Sequence, residues 1–346
     1  MLPEALEILM KNIEHIKAKV DELLPLDKIK YIKSLWVECV SPCASRIRVN
    51  LAGIDSGFNY IEYRGYALYV VDVALVMLKH DGEELYEGDV DVDLFSSNNI
   101  EHELFIKGIE LETKMLKRSI KENQNGLILV DGSLLAKSST LLRTRGELEL
   151  VKNGKMKKPS EILREMLEAV SKLGFRTVFV AKNSSSRDIL GFAKGDVYYF
   201  EKYTDGVPGY AKPVLASRIS GVSSLISKLR AFAGIHGIEY FEDVAISYLR
   251  LKEGGRVYRV EIPVNSVHGS ENVLEDVKHH IKLLMRILEQ GSVGGYPYVL
   301  LRADELARIT HNDIKRLAGI AGILLDPSAR EPLREVFIVE AFRQRI

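Results

Sequence analysis

The chain has only two cysteines in 346 residues, Cys39 and Cys43 of Cys-Val-Ser-Pro-Cys. Two thiols build neither a disulfide framework nor a four-ligand zinc site, so a reducing, cytoplasmic setting is expected. No apolar stretch reaches the ~18 residues of a membrane span. The start, Met-Leu-Pro-Glu-Ala-Leu-Glu, carries acids where a secretory leader needs basic residues. Net charge is missing too: 48 Lys plus Arg balance 48 Asp plus Glu, and any attraction to nucleic acid must come from local patches. There is no Walker loop, no G-x-S-x-G elbow, no internal repeat and no low-complexity segment. These absences argue against a P-loop NTPase, a serine hydrolase, a repeat protein and a secreted scaffold.

What the chain does have is a hydrophobic fraction of 46%, ample for a large core. The apolar run Ile47 to Leu51 leads into Ala52-Gly53-Ile54-Asp55-Ser56-Gly57. This predicts a strand ending in a carboxylate, with glycines that let the backbone turn sharply and a bulky group approach. A lone Asp-Ser-Gly is equally well a turn cap. The pattern returns, however, in Leu127-Ile128-Leu129-Val130-Asp131-Gly132-Ser133-Leu134. Two strands ending in aspartates and joined through a helix form a pocket for hard divalent cations, which take oxygen ligands. A third strand, Thr177 to Ala181, ends in Lys182-Asn183-Ser184. That lysine either caps its strand in solvent or, beside the aspartates, balances them or holds a phosphate.

Between these strands, Phe105, Ile109, Leu116 and Ile120 predict a helix over about 101–121. Glu112 falls on or beside its apolar face, while Glu110 neighbours Lys107 and Lys114 and points toward water. An inward glutamate is costly unless a metal or lysine meets it. The helical spacing over Pro3 to Leu24 predicts an amphipathic arm, which packs either on its own domain or on a partner; Pro25 stops it and a second helix follows to Trp36. The expectation from Ile47 to Met77 is a three-stranded meander broken near Ser56 and at Arg64-Gly65, and the acidic residues from His80 to Asn99 read as a solvated connection. Gly195 to Phe200 and Pro213 to Ala216 read as strands or lid segments. The stretch Tyr198 to Tyr203 suits base stacking or core packing equally. Then come a helix at 159–173, a hairpin at 239–263 that sets Arg256 and Arg259 among apolar residues, a helix at 268–290 whose His279-His280 reads as a surface feature, and short helices near 304–309 and 312–317.

Taken in order, Gly53-Ile54-Asp55-Ser56-Gly57, Leu129-Val130-Asp131-Gly132-Ser133-Leu134, Lys182-Asn183-Ser184 and Gly295-Tyr296-Pro297 resemble the NurA family of nucleases, over nearly the whole length. The resemblance implies an α/β fold: an RNase H-like mixed five-stranded sheet flanked by helices, with an N-terminal helical arm at 1–45 and the nuclease domain, with added β-hairpin and helical elements, at 46–346. It implies a DNA nuclease, a 5'-3' exonuclease with single-strand endonuclease activity, acting in end resection of double-strand breaks. Its implied cofactor is Mn2+ or Mg2+, two ions per site, and its implied partners are DNA, a HerA-type hexameric ATPase and a second copy of the chain. By the resemblance, Asp55, Glu112 and Asp131 hold metal and Lys182 is the strand-end lysine, with Glu110 the alternative to Glu112. Two other readings are kept: a catalytically silent RNase H-like scaffold subunit, and an RNA or DNA endonuclease of another RNase H-like group. The chain departs from the family in carrying Ala303-Asp304 where an Ala-His pair is expected. Asp304 is either a fourth metal-binding carboxylate or an acid stabilised at a helix N-terminus, with His311 incidental.

Overall fold

The computed structural model describes residues 3–20, 24–39, 48–123, 125–146, 148–265, 273–323 and 334–335. Ile47, Cys43 and residues 268–272 of the expected long helix lie outside them. The first elements are α1 (Pro3–Val20), α2 (Leu26–Leu35), β1 (Trp36–Glu38), β2 (Leu51–Glu62), β3 (Ala67–Leu78), β4 (Glu84–Phe95) and α3 (Ile100–Glu122). Next come β5 (Leu127–Asp131), α4 (Leu134–Arg143), α5 (Glu149–Lys152), α6 (Pro159–Leu173), β6 (Thr177–Ala181), α7 (Asp196–Tyr203), β7 (Gly209–Ala211) and β8 (Val214–Leu215). The chain continues through α8 (Ser223–Ile235), β9 (Phe241–Arg250), β10 (Tyr258–Asn265), α9 (Val273–Gln290), β11 (Ser292–Val293) and β12 (Tyr296–Pro297). It ends in α10 (Tyr298–Leu306), α11 (His311–Ile320) and β13 (Arg334–Glu335).

One mixed sheet organises the molecule, in the order β1-β7-β9-β10-β6-β5-β2-β3-β4. Its middle is the five-stranded RNase H-like core: β2, β3 and β4 form an antiparallel meander, and β5 and β6 run parallel to β2. The hairpin β9–β10 extends this core beyond β6, and β1 and β7 complete that edge. β5 is short and buried at every residue, as a central parallel strand covered on both faces must be. Helices α3, α4 and α6 cover one face and α9 and α10 the other, so apolar side chains fall into two clusters either side of the sheet. Among the described residues no helix is long and apolar enough to cross a membrane.

Four expectations are corrected. β2 does not break near Ser56 but runs unbroken from Leu51 to Glu62 in register with β3, so Asp55 is mid-strand. Its glycines are there for close packing: a Cβ on Gly53 would lie 2.5 Å from the backbone of Val299, and one on Gly57 2.1 Å from the carbonyl oxygen of Ala307. Residues 84–95 are not a solvated connection but the edge strand β4, whose alternating acids pair with basic residues of α3 and the loop after α5: Asp91 with Lys107 at 3.0 Å, Glu87 with Arg118 at 3.3 Å and Asp93 with Lys155 at 2.7 Å. Residues 196–203 are helical, and Tyr199, Phe200 and Tyr203 are core residues; Tyr198 stands between Lys194 and Lys202, 4.1 and 5.5 Å above its ring. His280 is not a surface feature: it stacks on Phe175 with ring centroids 5.1 Å apart.

Candidate active site

Parallel pairing fixes the register of the two aspartates. Ile54 lies opposite Val130, so Asp55 and Asp131 follow on adjacent strands; Asp131 ends β5 opposite Val180, and Lys182 follows the end of β6. The carboxyl ends of parallel strands are where open α/β sheets gather their ligands. Gly132 then turns the chain at φ +88°, a conformation that favours glycine, and its N–H donates to the carbonyl of Val180 at 2.9 Å. Ser133 caps α4 by accepting from the Ala136 N–H at 3.0 Å.

Successive strand residues face opposite sides of a sheet. Asp55 shares its face with Gly53 and Gly57, against α10, whereas Ser56 faces α3. There the absent side chain of Gly108 admits Ser56 Oγ, which donates to Glu112 Oε1 at 2.7 Å. Helix α3 is regular throughout, and Glu112 is buried on it at 7% exposure. Glu110 turns away: its carboxylate pairs with Lys107 at 3.1 Å and accepts the Lys157 N–H at 3.1 Å, remote from the aspartates.

On the α10 face the Tyr296 hydroxyl donates to Asp131 Oδ1 at 3.2 Å. Burial, reinforced by the charges of Asp131 and Asp55, pushes this phenol well above its ordinary range, so it stays protonated and a donor. Lys182 lies over the Tyr296 ring at 4.8 Å, 3.7 Å from Asp131 and 3.5 Å from Asp304. Asp304 is in the last turn of α10 rather than the first turn expected for it. An acid there opposes the helix dipole, and Lys182 with Arg308, at 3.1 Å, compensates it. His311 opens α11, whose capping box is made by Thr310 and Asp313.

Sequence reasoning missed two members. Tyr296 was visible only as the middle of Gly-Tyr-Pro, a motif without an assigned role. Lys137 had no signal at all: its buried ammonium donates to Glu112 Oε2 and, at 2.6 Å, to the backbone carbonyl of Asp131. Among the described residues no three His, Cys, Asp or Glu side chains close to metal-ligand spacing, with Glu112 held on the α3 side by Ser56 and Lys137. The donor chemistry still fits a hard divalent cation, being carboxylate oxygen without sulfur or imidazole.

A NurA domain matches residues 49–309. The chain is 25% identical to the DNA double-strand break repair nuclease NurA of Sulfolobus acidocaldarius, over 92% of this chain and 95% of that one. It is 22% identical to the probable DNA double-strand break repair nuclease NurA of Methanocaldococcus jannaschii, over 95% and 91%. Its fold is similar to that of the NurA nuclease from Sulfolobus solfataricus, with a TM-score of 0.70 at 19% identity over 94% of this chain and 98% of that one. A NurA structure bound to dAMP and manganese is similar at 0.56 and 13%, over 96% and 99%. With the matched region running from ahead of Asp55 to beyond Asp304, the chain belongs to the NurA family.

Proposed function

We propose that this chain is a metal-dependent DNA nuclease that trims double-strand break ends, as a 5'-3' exonuclease with single-strand endonuclease activity. The observation that carries the reading is the placement of Asp55 and Asp131 side by side on parallel strands, with Lys182 between Asp131 and Asp304. Asp55, Asp131, Glu112 and Asp304 would hold Mn2+ or Mg2+, two ions per site. A bound hard cation supplies an acidified water and charge stabilisation at the scissile phosphate. The protein's own groups do the rest. Tyr296 keeps Asp131 oriented by donating to it, Lys182 offers an ammonium to a phosphate oxygen, and Arg308 holds Asp304 in place. No Ser, Cys or His nucleophile is needed.

The partners of the reading are DNA, a second copy of the chain and a HerA-type ATPase. What supports a partner on the arm is the outward apolar surface of α1, where Leu6, Leu9, Met10 and Ile16 are 41–61% exposed. The test is release of label from end-labelled single- and double-stranded DNA by wild type, with each divalent metal in turn. Metal-dependent release supports the reading; none with any metal, by a folded protein, favours the silent scaffold.

A further inference from the structure

We propose that Lys137 is a positioning residue of this site, the group that ties the α3 carboxylate to the end of the β5 strand. The proposal rests on the nuclease reading for its catalytic part only. Glu112 and Asp55 approach from opposite faces of the sheet, so packing of α3 on β2 alone does not bring Glu112 to the Asp131 end. Lys137 makes that connection directly. Its ammonium donates to Glu112 Oε2 and to the Asp131 carbonyl, and lies 5.9 Å from the Phe179 ring centroid, in a setting that leaves the residue 5% exposed. A buried ammonium is expensive unless paired and hydrogen-bonded. This one has both a carboxylate and a carbonyl.

The helix that carries it is itself clamped. Ser133 Oγ donates to Glu261 Oε1 at 2.7 Å, the Leu135 N–H donates to Glu261 Oε2 at 3.0 Å, and Arg259 Nε donates to Glu261 Oε1 at 2.8 Å. Glu261 and Arg259 are buried on β10, so the first turn of α4 is pinned to the sheet one turn before Lys137. The stem of Lys137 passes over Gly132, whose absent Cβ would lie 3.2 Å from Lys137 Cε. Each carboxylate oxygen offers two lone pairs. Ser56 and Lys137 use one on each oxygen of Glu112, fixing its plane and leaving the others for a ligand. Hydrogen-bonding of ligating carboxylates by outer groups is the usual means of orienting them.

The experiment is a double-mutant cycle of wild type, Lys137→Met, Glu112→Gln and Lys137→Met/Glu112→Gln, read in two ways. Thermal unfolding in chelator requires no activity. Lys137→Met should lose several degrees, and adding Glu112→Gln should recover at least half of that loss, because the uncompensated carboxylate has gone. In hydrolysis with saturating Mn2+, Lys137→Met should lower kcat on the order of 100-fold with little change in KM, and the double variant should be no slower than the slower single one. Independent, multiplying losses with no thermal recovery would overturn the proposal and leave Lys137 a packing residue. Should Lys137→Met fail to fold, the double variant is compared with Glu112→Gln alone: equal stability supports the proposal, and a further loss refutes it. Inactive wild type would overturn the nuclease reading while the thermal cycle still decides the pairing.

Discussion

The ammonium of Lys182, just beyond a strand, lies 3.5 Å from the carboxylate of Asp304 in the last turn of a helix. The contact joins the sheet to α10 at the point where Lys182 also approaches Asp131. Asp304→Asn keeps the shape and removes the charge, and it should raise the metal concentration for half-maximal cleavage by about 10-fold, the scale of losing a supporting ligand group. His311→Ala should leave that concentration unchanged. A metal titration of both variants on labelled DNA checks this.

The two glutamates of α3 should separate cleanly. Glu112 joins Ser56 and Lys137, whereas Glu110 joins Lys107 and the loop at Lys157. Glu112→Gln should cost roughly 100-fold in rate, the upper end of the loss when a carboxylate supporting a metal is neutralised. Glu110→Gln should stay within about two-fold of wild type, as a change outside the site does. Parallel initial rates decide, and the reverse order would move the site to the other face of the helix.

Gly57→Ala should be destabilising, against the ordinary gain of alanine over glycine inside a strand. Its Cβ would meet the Ala307 carbonyl oxygen at 2.1 Å, a backbone atom that no rotamer change can move aside, so the end of α10 must move away from β2. A loss of about 1–3 kcal/mol in urea unfolding is expected. Gly65→Ala, at a hairpin turn where nothing lies within 4 Å of the added carbon, controls for space, although its φ of +156° adds local strain.

Burial, helped by the charge of His279, pushes His280 down to about 4. Between that value and the ordinary 6.5 the unfolded chain binds the proton that the folded chain refuses. Stability should therefore rise with pH from about 4 to 6.5 and level off above, by up to about 3 kcal/mol from this group. His280→Leu should flatten that rise in denaturant midpoints measured at each pH.

The candidate site was legible where chemistry and local pattern coincide. The short buried runs ending in Asp131 and Lys182 announced strand ends, and the helical spacing around Glu112 placed it inward. The role of the Asp55 glycines was not legible, because what they accommodate is the backbone of α10, far along the chain. Strand β4 was hidden by its acids: Asp89, Asp91 and Asp93 alternate as a strand should, but their face is covered by lysines of α3 and of the loop after α5 rather than by apolar groups. Lys137 escaped for the same reason, since one lysine on a helix carries no mark of the distant carboxylate it will meet. Asp304 was read at a helix start on the resemblance, whereas α10 already begins at Tyr298, directly after Pro297, and has nearly ended where Asp304 stands.

The most direct test of the account is hydrolysis of end-labelled DNA by Asp55→Ala and Asp131→Ala across a Mn2+ titration, beside circular dichroism and thermal unfolding in chelator. Each variant should lose metal-dependent release while keeping the fold; Asp55→Ala should be as stable as wild type or slightly more so because a repelling carboxylate has been removed, whereas Asp131→Ala should be somewhat less stable because Tyr296 and Lys182 lose their partner. Wild-type rates in either folded variant would contradict the placement of the active site on these two strands.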